Sequence, residues 1–447
     1  MSCMVPGSSS LTPNFSSKNG PVVRVAPNEV SFNSPQLCND IYGFRPGHQT
    51  FIKSDFYEGG PFASRGVHSI VSERDVAEHG QMRRYLSHAF SDQSLREQET
   101  LDAQTIDKFI EAAGRRGSQS GGFDLVKSLE MMTFDIIGDL AFGETLIVAL
   151  DRPHPWIAIA MGALRQGELA DTFKRFPMAA KFLVALFPGK IAKLTEETRH
   201  NEDTAIELTT KRIARHEDAR KDFLTRILEQ RDPEKMSDLQ LAAHASDFVV
   251  AGSETTATAL SCMLYYLLKP PAIKEKLQQE VWSCFESYDE INSSSTIPLK
   301  YLKTVILEGL RLYPPIPFAL PRVVPGGGDT VDDHFLPAGT IVSTNPVAAS
   351  LGSKNFSYPM TFKPERWLAG KGEVQDDILA ATQPFSLGPR SYLGRNLAWL
   401  EMRTVLAKLL WTYNMELVNS HIDWHRDSRM LTLWKKPPLP VKVKRRA

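Results

Sequence analysis

In this 447-residue chain the side chains best suited to chemistry lie far apart in sequence. Glu254-Thr255, inside AGSETT at residues 251–256, sets an acid beside an alcohol, a pair that can hold and pass a proton. His79 and Arg83 stand four apart, which puts both on one helix face. Arg322 and Arg390 follow much later, and arginine is a ready clamp for carboxylates. Tyr392 sits in PFSLGPRSYLGRNLA, where Gly388 and Gly394 suit a tight turn and a close backbone approach. Each group also has a plain structural reading: a buried helix, a solvated basic face, an ordinary turn.

The elements that position these groups are marked by their punctuation. Residues 239–268 read as a helix roughly 45 Å long at 1.5 Å per residue. Ser237 with Gln240 forms a capping box, and Pro270-Pro271 end the helix. Gly252 in its middle costs about 1 kcal/mol relative to alanine, which implies that something approaches its backbone. Residues 78–90 and 301–313 read as further helices, the second stopped by Pro314-Pro315. Glu308 and Arg311 share a face of the latter. Residues 20–32 alternate around turn formers as a small sheet does, and FLPAGTIVSTN at 335–345 is strand-like. Residues 98–230 read as mostly helical, with breaks at 114–117, 152–153 and 187–189. The most apolar stretch, 176–190, is too short to span a bilayer. It is expected to be core or a pocket lid, ahead of a membrane-surface contact.

The loop resembles the haem-binding loop of the cytochrome P450 family, Phe-x-x-Gly-x-Arg-x-Cys-x-Gly. Phe385, Gly388, Arg390 and Gly394 match, and Tyr392 stands where that family has cysteine. The resemblance extends over residues 20–447, with further motifs in the family's order. AGSETT matches the stretch whose acid and threonine guide protons, here Glu254 and Thr255. His79, Arg83, Arg322 and Arg390 match haem-propionate binders, and with Phe385 and Tyr392 complete the inherited haem pocket. Glu308, Arg311 and Arg366 match a buried structural charge cluster. Phe248, Ala251, Gly252, Pro317, Phe318 and Ala319 correspond to the substrate pocket. The resemblance implies a mostly α fold with a small β lobe, as one domain over residues 20–447. Residues 1–19 would be a flexible tail without a membrane anchor. In texture the chain is most similar to fungal secondary-metabolism members of the isotrichodermin-hydroxylase type.

Tyr392 changes what the resemblance implies. The family's cysteine thiolate is the proximal iron ligand, and its electron donation favours O–O cleavage. A tyrosine oxygen lies roughly 6.5 Å from its Cα, against under about 3 Å for a cysteine sulfur, so a phenol projects into the porphyrin's space. Tyrosinate can ligate haem, but a free phenol has a pKa near 10. The leading expectation is therefore a P450-fold enzyme of fungal natural-product biosynthesis without haem or metal. It would catalyse a non-oxidative cyclisation, rearrangement or dehydration of an apolar intermediate. Tyr392 and Glu254 would be its proton donors or acceptors, and Thr255 their relay. The alternative is a monooxygenase dependent on haem b, with Tyr392 an inactivating variant or a tyrosinate ligand. A non-catalytic binding protein comes third.

Composition narrows the partners. Basic and acidic residues balance at 52 each, which gives no footprint for nucleic acid. The four cysteines show no zinc-type spacing and no close pairs, as in a reduced protein. The expected partner is an apolar small molecule, with no obligatory reductase if the chain is haem-free. A monomer is expected, soluble and cytoplasmic, with at most a peripheral membrane contact.

Overall fold

The computed structural model describes residues 22–35, 37–144, 156, 157, 159, 173, 174, 176–215, 220–368 and 376–446. The expected tail at residues 1–19 and the expected break at 152–153 lie outside the described residues. The chain divides into two compact units. Unit 1 takes residues 1–51, 102–132 and 254–447, and unit 2 takes residues 52–101 and 133–253. The long helix runs Asp238–Leu268. Ser237 caps it, its Oγ accepting from Gln240 N–H at 3.1 Å.

In unit 1, strands Val22–Ala26 and Glu29–Phe32 form an antiparallel pair. Glu29–Phe32 runs parallel to Ile341–Thr344, which pairs antiparallel with Arg322–Val323. Inward side chains Phe32, Val324 and Val342 meet Leu37, Ile41 and Phe51 in one apolar cluster. A second sheet joins Tyr413–Leu417 and Phe123–Asp124 to either side of Pro440–Arg445. In that strand Val441 and Val443 are buried while Lys442 and Lys444 are exposed, the period of two that a half-covered strand requires. Helices Pro271–Cys284, Lys300–Leu312 and Arg395–Thr412 pack on one another. Helix Asp92–Gly117 ends inside the expected break at 114–117, and Gly114 lies in its last turn. A Cβ there would lie 2.3 Å from the Tyr413 hydroxyl, so the glycine makes room for a neighbour.

Lys300–Leu312 places Glu308 and Arg311 at zero exposure. Arg311 grips both carboxylate oxygens of Glu308, at 2.8 and 2.9 Å. Arg366 Nε reaches Glu308 at 3.0 Å, and so does the Trp367 indole N–H. The Lys363 amide donates to the same carboxylate at 2.9 Å. Asp377 pairs with Arg366, and Arg311 also donates to the carbonyls of Ser350 and Pro359, each at 2.8 Å. This knot ties the Lys300–Leu312 helix to the segment before the tyrosine loop.

In unit 2, helix Val76–Ser87 starts at Asp75, whose carboxylate accepts from the amides of Ala77 and Glu78 at 2.8 and 2.9 Å. Arg212 pairs with Asp222 at 2.8 Å, both side chains being buried. Helices Pro177–Leu186 and Pro188–Ala214 meet at Phe187, the expected break. The expectation for 176–190 is corrected here. Phe176, Met178, Phe182, Leu183, Val184, Leu186 and Phe187 are all exposed, so this face is not core. No helix among the described residues is long and apolar enough to cross a membrane.

Replacing Glu308 with alanine leaves two buried guanidiniums without their carboxylate, a loss of roughly 3–5 kcal/mol. Urea unfolding of Glu308→Ala is expected to show a destabilisation of that size, with a matching fall for Arg366→Ala. Wild-type stability in either variant would contradict the account.

Candidate functional site

The tyrosine loop is fixed by its own backbone. Tyr392 N–H donates to the Phe385 carbonyl at 2.9 Å, and Ser391 N–H to Gly388 at 3.0 Å. Gly388 has φ 69°, and a Cβ there would lie 2.1 Å from the Tyr42 carbonyl oxygen. No side chain fits that place. The rings of Phe385 and Tyr392 stack at 6.2 Å, and the Arg395 guanidinium lies over Phe385 at 5.7 Å. At Gly394 a Cβ would meet the Tyr392 hydroxyl at 3.1 Å and its ring at 3.2 Å. The phenol thus folds back over a glycine whose bareness accommodates it.

From there the phenol reaches the long helix, where the Thr255 hydroxyl hydrogen-bonds it. Burial pushes its pKa up to about 12, Thr255 partly opposing, so Tyr392 is a neutral phenol across the physiological range. Beside it lies an acid that the sequence reading passed over. Glu401, on Arg395–Thr412, is 1% exposed and hydrogen-bonded by Thr256. Burial raises its pKa from 4.5 to about 8. Its Oε2 has no hydrogen-bond partner among the described residues. A signal was present in LAWLEMRTVLAKLL: one acid in the middle of an otherwise core-like helical run.

Glu254 faces a different neighbour. Lys436 forms ion pairs with Glu254 and with Glu130, the second at 2.9 Å, and donates to Thr258 Oγ1 at 2.9 Å. Burial raises the pKa of Glu254, with the Lys436 charge opposing. An ion-paired carboxylate gives and takes protons less freely than a lone one. Nothing local in the sequence links Lys436 to Glu254, 182 positions away.

The remaining residues of unit 1 stand as follows. Arg322 is 3% exposed, donates to the Pro321 carbonyl at 3.1 Å and lies over the Tyr42 ring at 5.2 Å. Arg390 is half-buried at the end of the Gly388–Arg390 turn. Pro317 is buried, and Phe318 and Ala319 are half-buried.

In unit 2, His79 is buried and Arg83 half-buried on the same helix, and burial lowers the Arg83 pKa. Phe248 packs edge-on against Phe90 at 5.1 Å and near Phe223 at 6.3 Å. Ala251 and Gly252 are half-buried. A Cβ on Gly252 would come within 2.9 Å of Ile137, the close approach that a mid-helix glycine implies. The Thr133 hydroxyl donates to the Ser253 carbonyl at 2.8 Å.

Unit 1 thus brings together Tyr392, Thr255, Thr256 and Glu401, and holds Glu254 against Lys436. The first set offers two neutral acids, each oriented by a threonine. Glu401 gives a pH test. Its folded pKa exceeds its unfolded one, so stability is fully present below about 4.5 and falls as pH rises to about 8. Glu401→Gln is expected to flatten that slope in chemical denaturation, and an unchanged slope would contradict the burial account.

A family model described as Cytochrome P450 matches residues 17–444. A monooxygenase of Penicillium roqueforti, "Cytochrome P450 monooxygenase ORF11", is 54% identical over 405 residues, covering 90% of this chain and 83% of that one. "Cytochrome P450 monooxygenase BipB" of Cochliobolus sativus is 42% identical over 436 residues, covering 96% and 85%. A crystal structure of a cytochrome P450 (CYP102L1) superposes with a TM-score of 0.79 at 19% identity, over 97% of this chain and 93% of that one, a likeness of fold. With its fold and nearly its whole length matched, this chain belongs to the cytochrome P450 family.

Proposed function

We propose that this chain is a haem-dependent enzyme of fungal natural-product biosynthesis that inserts oxygen into an apolar intermediate. What carries this over the haem-free expectation is the likeness, at 54% and 42% identity, to fungal relatives named monooxygenases. The residues present suit haem at its carboxylates. Burial lowers the Arg83 pKa, and an anion beside a desolvated cation offsets that cost. Arg322, nearly fully buried, offers a second guanidinium, and Arg390 a third. His79, Arg83, Arg322 and Arg390 are the residues that would hold the haem carboxylates. When bound, haem supplies the activation of dioxygen. By family resemblance Tyr392 stands at the iron-ligand position of the loop, and tyrosinate is a donor type that haem iron accepts.

The chain's own residues do the rest. Pro317, Phe318 and Ala319, in unit 1 with Thr255, give an apolar substrate its surroundings. Thr255 presents its hydroxyl for proton delivery, and Glu254, restrained by Lys436, sets the charge behind it. The cost lies at Tyr392. Its phenol is neutral and held by Thr255, a bond worth about 1 kcal/mol net, which cofactor binding must displace. A phenol also lacks a thiolate's electron donation, so oxygen insertion is expected to be slow.

The hydrogen bond between Tyr392 and Thr255 favours a second reading. With the phenol kept there, Tyr392 and Glu254 act as acid and base, Thr255 relays between them, and an apolar substrate is cyclised, rearranged or dehydrated without haem. Removing one such group typically costs 10²–10⁴-fold in rate, so Tyr392→Phe and Glu254→Gln would each abolish that activity.

Tyr392→Cys decides between the readings. Reconstituted with haem and reduced under carbon monoxide, the variant is expected to show the thiolate-type difference peak that wild type lacks. Turnover by wild type is expected to require oxygen and a reductant. A Cys variant that stays colourless, together with full activity under nitrogen, would overturn the oxygenase reading in favour of the second.

A further inference from the structure

Within unit 2, one face of the long helix, carrying Gln240, His244 and Asp247, grips the loop at residues 68–71. Gln240 Nε2 donates to the His68 carbonyl at 3.1 Å, and Ile70 N–H donates to His244 Nδ1 at 3.0 Å. Lys53 Nζ donates to the carbonyls of Ile70 and Val71 at 2.8 and 2.7 Å. Asp247 is hydrogen-bonded by the Ser69 hydroxyl and the Val71 amide, with the Lys53 charge nearby.

The grip fixes a tautomer. Because His244 Nδ1 accepts, the proton of the neutral ring sits on Nε2. His244 is 0% exposed, and burial pulls its pKa down to about 3, so the ring stays neutral. Among the described residues its Nε2–H has no acceptor. Three residues on, and so on the same face, Asp247 Oδ2 has no donor among the described residues. Burial pushes the Asp247 pKa up to about 6, which leaves a carboxylate, an acceptor only, above that pH. An unmet buried polar group costs about 1–3 kcal/mol.

The two orphans restrict what could satisfy them. A cation would serve Asp247 and leave the His244 donor unmet. A carbonyl or carboxylate would serve His244 and oppose the Asp247 charge. A hydroxyl serves both. We propose that His244 and Asp247 form a subsite for a ligand hydroxyl, His244 Nε2–H donating to its oxygen and Asp247 Oδ2 accepting from it. The proposal rests on the reading that the ligand is an apolar natural product, and narrows it to one bearing an alcohol. Water has the same hydrogen-bonding chemistry, so the test separates the two.

The probes are cyclohexanol, cyclohexane and cyclohexylamine, alike in ring and different in polar group, titrated into the full chain without haem. Wild type is expected to prefer cyclohexanol over either by about ten-fold, the worth of one net hydrogen bond. His244→Phe and Asp247→Leu are expected to lose that preference, and Asp247→Asn, which keeps an acceptor, to retain it. Should a variant fold poorly, nitrogen-15 histidine spectra of wild type provide the second readout. The resonance absent from His244→Gln, which keeps a side-chain acceptor for the Ile70 amide, is expected to shift with cyclohexanol and not with cyclohexane. Equal binding of the probes with an unmoved resonance means that the pair holds water, and overturns the subsite alone. Binding of none of them overturns the subsite and the apolar-ligand reading together.

Discussion

One buried carboxylate, Glu308, holds the tyrosine-loop side of this protein in place. At zero exposure it must be met on every side, and it is: Arg311 takes both oxygens, Arg366 and the Trp367 indole add one bond each, and the Lys363 amide another. Charges taken out of water are tolerated only with such complete partnering. That requirement brings the helix and the segment 363–367 to one point, and the tyrosine loop lies further along the same chain.

The same physics gives the acids of unit 1 different fates. Glu254 is buried with Lys436 and forms an ion pair. Glu401 is buried with only the Thr256 hydroxyl, and burial dominates, so it keeps its proton to about pH 8. Arginine and lysine on the neighbouring helices are engaged elsewhere, Arg311 with Glu308 and Lys276 with Glu365. Tyr392 is likewise kept neutral, and Gly394 and Thr255 together decide where its ring lies. The phenol lies over Gly394, where a Cβ would crowd it at 3.1–3.2 Å.

Local signals carried far in the sequence. The capping serine and the two prolines bounded the long helix to within a residue, because caps and breakers act on neighbouring backbone groups. The start of the Val76–Ser87 helix was missed by two residues although Asp75, a strong cap, was in view. The expected break at 114–117 holds the end of the Asp92–Gly117 helix, and Gly114 is also left bare for the Tyr413 ring, a use that no local signal shows. The apolar run at 176–187 was misplaced for a related reason, since composition does not say whether another element covers a greasy helix. Lys436 with Glu254, and Asp377 with Arg366, were invisible because the fold alone makes them neighbours.

The central claim is that this chain holds haem despite carrying Tyr392. It is tested most directly by measuring the haem and iron content of wild-type protein purified from cells supplied with haem precursor. The account predicts one haem per chain in a fully folded protein. A folded chain that carries neither iron nor haem would contradict it.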